Sequence, residues 1–478
     1  MAALNLFGRR VIYTKAERVT VANVLDVLNE TRDDFLRNKT DAERLLKYFR
    51  GDQPILCRKK DIRPEICNRI VENRANEIVA FKTGYLCGEP IQYISRSGNS
   101  GVAKNVSKLN DAMLVDSKAT KDKDLVEWMH IAGHGYRIVL TSTGDSESPF
   151  ELYTLAPTDA YVIRSRKIGN KVLAGVHCGV AEDGTEVFTV YTDSEFFEVK
   201  GREIVRHSGH ALGFVPIIEY PLNNSRLGAF EPVIPILNAI NTVTSNRLDG
   251  VEQFVQSLMK FINCEVDKDT LQELMQMGAI QIKSTDGHNA DVEIMTQELN
   301  QQQTQTLVDH MYQTVLTICG MPNRNGNGSS TSDTGAASLL RDGWTLAEAR
   351  AKDAELMFKA SEQEMLKVVL RICSGTSDIS LNLRDIDIKF TRRNYENIQT
   401  KAQVLCEMLN NPKIEPKLAF THCGMFTDPE EAYTMSMKWF DEQQKKLEQE
   451  KKKVEAANGR EDTAEKLDKN PNEQTEKS

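Results

Sequence analysis

At Phe230 the chain changes period, and the change constrains its fold more than any other feature. Val233, Leu237, Ile240, Thr244, Leu248, Val251, Val255, Leu258 and Ile262 recur every three or four residues, which puts them on one face of a helix. The run predicts a helix of about 30 residues, roughly 45 Å long. Val308, Met311, Val315 and Ile318 predict a second helix over 298–319. Leu340, Trp344, Ala347, Ala351, Ala354, Phe358, Met365, Val369 and Ile372 predict a third over 336–373, about 38 residues or roughly 55 Å. Rods of this length require helix packing over a large distance. Arg350, Lys352, Glu355 and Lys367 lie off the third stripe and exclude a membrane span there.

What lies between the rods is equally informative. Residues 262–297 read as a compact insert with a short helix (270–277), two strands (279–283 and 291–295) and a turn at Asp286-Gly287. The pattern is a rod going out, a small αβ knob and a rod coming back. Residues 320–335, GMPNRNGNGSSTSDTG, then form a polar loop in which only Arg324 and Asp333 carry charge. Alone it is a pliable connector; between two long rods it becomes a candidate functional element.

Upstream, helices are expected over 20–37, from the Thr40-Asp41-Ala42-Glu43 capping box to Gly51, from Pro64 to Gly84, and over 104–117 and 122–132. An extended stretch covers 85–93, and short β-like runs at 136–140, 151–155, 161–163, 172–180, 187–191 and 196–199 predict an antiparallel meander. Residues 1–229 therefore read as one α+β domain. Beyond the third rod come a strand (385–390), helices at 396–410 and 428–450, and a charged, largely disordered tail over 441–478, most clearly its polar 458–478 end.

With 40% hydrophobic and 27% charged residues in 478, the chain has ordinary globular composition. Its formal charge of −9 excludes a protein that wraps a polyanion in a basic surface. Two compact basic spots, Arg58-Lys59-Lys60 and Arg392-Arg393, read as solvated surface. No Gly-rich stretch ends in Gly-Lys-Ser/Thr, so nucleotide hydrolysis through a phosphate loop is excluded. His130 and His134 lack the zincin Glu and are flanked by Gly133 and Gly135, while His207 and His210 sit in a turn-like segment; neither pair reads as a metal site. Nine scattered cysteines without a CxxC pair read as small buried residues in a reducing compartment. No catalytic residue, metal or cofactor is expected, and no membrane.

Tyr48-Phe49-x-Gly51 with Ile55 and Arg58, then Asn73-x-x-x-Glu77-Ile78-Val79 and Gly84-Tyr85-Leu86-x-Gly88-x-Pro90-Ile91, resemble the N-terminal signature of phage portal proteins. The family is that typical of long-tailed phages of Gram-positive hosts. His210-x-Leu212-Gly213-x-Val215-Pro216-Ile217-Ile218-Glu219-Tyr220, Asn223-Asn224 and Phe230-Glu231-Pro232-Val233-Ile234 resemble its entry into the stem. Asp385-Ile386-Asp387-Ile388-x-Phe390-x-Arg392 and Asp428-Pro429-Glu430-Glu431 resemble its later landmarks.

The resemblance implies an α+β portal fold assembled as a ring, a homododecamer at the capsid vertex of the virion, made in the host cytoplasm. Its axial channel would conduct double-stranded DNA in packaging and ejection. By this analogy 1–229 is the wing, 230–261 and 298–320 the stem, 262–297 the clip, 321–335 the tunnel loop, 336–394 the long kinked helix with a wing strand, and 395–440 the crown. Expected partners are the terminase large subunit, a head-completion or adaptor protein, and capsid and scaffolding proteins. The loop residues Asn323, Arg324, Asn325, Asn327, Ser329, Ser330 and Thr331 would face DNA, and Lys283, Asp286 and His288 of the clip would meet partners. Other classes that fit the residues are an α+β nucleic-acid-modifying enzyme with an unrecognised site and a helical scaffold without a channel.

Overall fold

The computed structural model describes residues 8–61, 63–96, 100–142, 147–255, 258–262, 291–295, 301–323, 343–391, 398–426 and 429–467. The chain divides into a unit of residues 1–95 and 101–393 and a second of 96–100 and 394–478.

In the first unit, β1 (Tyr13–Thr14) runs parallel to β5 (Ala160–Ser165), which opens an antiparallel meander. The meander continues through β6 (Val172–Val180), β7 (Glu186–Tyr191), β8 (Glu195–Lys200) and β9 (Glu203–Gly209). Alternation puts Tyr161, Ile163, Ala174, Val176, Val190 and Phe197 in one core with Val24, Val27, Leu28 and Phe35 of helix α1 (Val24–Phe49). The Phe35 and Tyr161 rings stack at 4.5 Å.

A second sheet orders β10 (Ile217–Pro221), β3 (His134–Thr141) and β4 (Phe150–Leu155). Its core joins α2 (Arg74–Cys87), α3 (Ser100–Val115), α4 (Lys118–Ala132) and the long helix α7 (Trp344–Thr376). After α7 the chain returns as β13 (Ile386–Lys389), antiparallel to β2 (Gln92–Ser95).

Helix α5 (Ile234–Val255) starts from a locked corner. Glu231 is fully buried, pairs with Arg9 and accepts the Gly228 N–H at 3.0 Å, which gives the Phe230-Glu231-Pro232 landmark its physical role. Ile234, Leu237 and Ile240 at the start of α5 share a core with Val315, Leu316 and Cys319 at the end of α6 (Gln301–Cys319).

Several expectations are corrected. The helices placed at 20–37 and from Thr40 are one helix, α1; Thr40 is interior, and its hydroxyl bonds back to Leu36 O at 2.9 Å rather than capping. The helix expected from Pro64 begins only at Arg74, because α5 satisfies the backbone of the irregular segment before it. Asp249 accepts Asn68 N–H at 2.7 Å, Ser245 Oγ accepts Ile70 N–H at 3.0 Å, and Asn241 accepts Glu72 N–H at 3.0 Å. Arg58 and Lys60 are not solvated surface, since they pair with the buried Asp249 at 2.9 and 2.6 Å. Arg392-Arg393 lies outside the described residues.

The first rod is shorter than its stripe: α5 ends at Val255, and Leu258–Ile262 is strand β11, antiparallel to β12 (Asp291–Met295). Leu258 and Ile262 also fit a period of two, and a short apolar run does not decide between the periods. The candidates at 270–277 and 279–283 lie outside the described residues, as do 336–342 at the start of the third rod. Residues 85–93 are mostly helical or irregular, with β2 only at Gln92–Ser95.

The second unit holds α8 (Ile398–Leu409), α9 (Pro416–His422) and α10 (Pro429–Leu467). Phe420 anchors it, stacked on Phe426 at 5.3 Å and edge-on to Tyr433 at 5.8 Å. The tail expected to be largely disordered from 441 is instead helical to Leu467, and 468–478 lie outside the described residues. Lys, Glu, Gln and Ala, all strong helix formers, fill it without a proline until Pro471. Among the described residues no helix is long and apolar enough to cross a membrane.

Candidate functional site

The 320–335 loop leaves α6 through a built terminus. Gly320 takes a left-handed φ of +64°, its N–H bonds Thr317 O at 3.2 Å, and Met321 N–H reaches Leu316 O at 2.8 Å. This is a Schellman cap, with Met321 and Leu316 buried together as its apolar contact and Pro322 blocking any continuation. A Cβ on Gly320 would lie 2.6 Å from Arg350 Cγ. The return point is Gly343, at φ +80°, where a Cβ would lie 3.7 Å from both Met321 O and Pro322 Cα. The described chain stops at Asn323 and resumes at Gly343 beside Met321 and Pro322, and these two ends form one neck.

Both sides of the neck are anchored. On the return side Trp344 packs against Phe81 and Tyr85 at 6.2 and 6.1 Å, and Tyr85 Oη donates to Glu348 at 2.9 Å. On the departure side Tyr312 Oη donates to Glu77 at 2.7 Å, with the Arg74 guanidinium 4.2 Å above its ring. Asn323, the last described residue before the excursion, lines a polar cleft of about 530 Å3 with Glu72, Arg74, Glu77, Arg247 and Asp309. Lys82 also belongs to this region; burial and the nearby Arg350 hold its ammonium below the usual lysine range, against an opposing effect of Cys319.

From the neck α7 runs about 27 Å to Glu362. Glu362 is fully buried and accepts from Tyr93 Oη at 2.5 Å, Tyr220 Oη at 2.7 Å and Lys118 Nζ at 2.8 Å. Arg137 lies 3.7 Å away and donates to Asp122 at 2.7 Å, while Lys118 also meets Asp122 at 2.6 Å. Burial alone would raise the carboxyl pKa of Glu362, but Lys118 and Arg137 outweigh it and hold the group below its ordinary range. Removing one partner of such a cluster leaves a buried charge unpaired, so the cluster fixes α7 to the sheet behind it.

Of the expected DNA-facing residues, the structure places Asn323 at the neck; Arg324, Asn325, Asn327, Ser329, Ser330 and Thr331 lie outside the described residues. So do Lys283, Asp286 and His288 of the clip. The sequence reading missed the neck pair Gly320 and Gly343 and the aromatic anchor at Trp344. The Gly-x-Pro at 320–322, just past an apolar stripe, was the signal for the first. His130 and His134 are buried singles bonded to the carbonyls of Val126 and Ala132, and His207 lies in β9, stacked on Phe197 at 4.9 Å. Among the described residues no group of His, Cys, Asp and Glu could hold a metal. Cys57 and Cys406 are exposed rather than buried.

A family model described as phage portal protein, SPP1 Gp6-like, matches residues 28–456. The chain belongs to this family of phage portal proteins. No curated protein matches its sequence. Among solved structures it is similar, at 10% identity and a TM-score of 0.46, to a chain in the neck of an empty GTA particle computed with C6 symmetry, over 74% of this chain and 90% of that one. It is similar at the same identity and TM-score to a chain in the virion of a native gene transfer agent particle, over 81% and 94%. A third, from the neck of a native GTA particle computed with C12 symmetry, matches at 10% identity and a TM-score of 0.45, over 75% and 92%.

Proposed function

We propose that copies of this chain form a ring of twelve at one vertex of the capsid, assembled in the host cytoplasm and carried in the virion. Double-stranded DNA passes through its axis in packaging and ejection, and the chain itself catalyses no reaction. The family match over 28–456 carries the reading. In it the sheets and α1–α4 form the wing, α5 and α6 the stem, the β11–β12 region the clip, and residues 395–440 the crown. The phage is long-tailed, with a Gram-positive host. The clip, with Lys283, Asp286 and His288, meets the terminase large subunit and later the head-completion protein, while capsid and scaffolding proteins contact the outer surface.

Residues 321–335 are the tunnel loop in this reading. The closed neck supports it, because a loop whose ends are pinned at one point can project into a channel without loosening either rod. Its lack of lysine fits a surface over which DNA slides, since every neutralised phosphate adds salt-sensitive affinity that would retard transit. Arg324 is the one cationic phosphate contact, with the Asn, Ser and Thr side chains of 323–331 beside it. The test replaces 323–331 with a rigid acidic segment and measures DNA packaged per particle. We expect intact rings and reduced packaging; intact rings with normal packaging would count against the loop assignment.

A further inference from the structure

The second unit has less core than its helices require. Among its described residues the buried apolar side chains are Leu405, Ala419, Phe420 and Cys423, with Met408, Phe426, Ala432 and Tyr433 partly buried against them. So little buried surface holds three helices only marginally, as in any small unit with a thin core. The missing apolar surface is on the outside. Beyond Tyr433, α10 leaves Met435, Met437, Trp439, Phe440 and Leu447 in solvent, Met435 at 66% and Trp439 at 62% exposure.

These side chains divide between two sides of the helix. At about 100° per residue, Met437 and Leu447 lie within about 60° of Phe440, on the side that Tyr433 begins. Trp439 and Met435 lie about 100° and 140° round the other way, which puts Trp439 about 160° from Met437. Together the five present roughly 500 Å2 of apolar surface, a size at which exposed apolar patches mark contact sites. A helix that is apolar on opposite sides is covered on both.

We propose that residues 435–440 of α10 are clasped between two further copies of this chain, Met437 and Phe440 facing one neighbour and Trp439 and Met435 the other. The inference deepens the ring reading and rests on it for the presence of those neighbours. Symmetry selects the occupant, because in a cyclic ring each subunit meets its two neighbours through two different, complementary patches. Area points the same way. A separate partner needs about 1,000 Å2 of total buried surface to bind specifically, more than either side of this segment supplies. Copies already held side by side elsewhere in the ring meet no such threshold, because their effective concentration is high. The flanking charges permit the contact: residues 441–451 carry four acids and three bases, so a second copy of the same helix meets little net repulsion. The second unit thus obtains its missing core from its neighbours, and its helices firm up as the ring closes.

The test uses the full chain with Phe440 replaced by the photoreactive residue p-benzoylphenylalanine, separated by size into monomers and rings. Irradiated rings are expected to yield covalently joined copies on a denaturing gel, with peptide mass spectrometry placing the bond at residues 435–439 of a neighbour. Irradiated monomers are expected to yield none, and the same photoreactive residue in place of Gln449, about 180° from Phe440, far less. A second variant, Trp439→Ala, should raise the concentration at which half the chain is in rings about tenfold, while the circular dichroism of its monomers stays that of the parent. Rings whose copies are not joined from position 440 would overturn the inference and leave the segment to a partner outside the ring. A bond formed only within one copy would overturn it as well, since the chain would then cover its own apolar segment. Unchanged assembly of Trp439→Ala would have the same force. A parent chain that forms no rings at any concentration would count against the ring reading and the inference together, a result distinct from intact rings without the bond.

Discussion

Helices α7 and α10 are the two longest of the described residues, 33 and 39 residues, and they differ in what surrounds them. In α7 the charge that matters is inside: Glu362 is buried against Lys118, Arg137 and two tyrosines, with Phe358 and Met365 packed beside it. In α10 Met435, Trp439, Phe440 and Leu447 are exposed. A long helical period thus says that a rod exists but not what surrounds it. α7 is packed on its own sheet, whereas α10 leaves large apolar side chains exposed in the unit that carries it.

That contrast can be broken by mutation, and the largest effect is expected at Glu362. Glu362→Ala leaves Lys118 and Arg137 to share Asp122 alone and the Tyr93 and Tyr220 hydroxyls without their acceptor, and denaturant unfolding should show a loss of about 3–5 kcal/mol. A loss below about 1 kcal/mol would mean that the cluster is not what holds α7. Acid comes next. Burial, reinforced by Lys82, pushes the His130 pKa down to about 3, and burial also lowers His134 to about 4, partly offset by Glu219. Both values lie below the ordinary 6.5, so the unfolded chain binds more protons. The contribution is complete above about pH 6.5 and is lost as pH falls through about 4 for His134 and about 3 for His130. Melting temperature should drop across that window, and His130→Leu should flatten the slope.

At the neck, Gly320→Ala forces a side chain into a left-handed backbone against Arg350, with an expected cost of about 1–2 kcal/mol. Equal stability would show that the cap can rearrange. The smallest effect belongs to the exposed helix: Leu447→Ala should change unfolding of the isolated chain by no more than about 0.5 kcal/mol. A loss as large as that at Glu362 would mean that α10 is packed, and the contrast would fail.

Much of this architecture was legible in the residues. The meander from Ala160 to Lys200 and the return strand near Ile386 follow from simple alternation, and the portal landmarks pointed to the family. Failures came where tertiary contacts override local rules. Thr40 has the chemistry of a cap but sits inside α1, and Pro64 opens no helix because Asn241, Ser245 and Asp249 hold that backbone instead. Arg58 and Lys60 looked like surface because their partner is 189 positions away in the case of Lys60, at Asp249. Of the candidate site, the sequence marked the polar loop, whereas closure of its neck depends on Gly343 meeting Met321 and Pro322, a contact with no local signature.

The central claim is that these chains close into a ring whose bore is narrowed by residues 321–335. A symmetric reconstruction of the purified full chain tests it most directly. The account predicts a closed ring with an axial channel, α5 and α6 along its wall, and the Gly320–Gly343 neck opening toward the axis. Discrete monomers, or a ring with that neck on its outer rim, would contradict it.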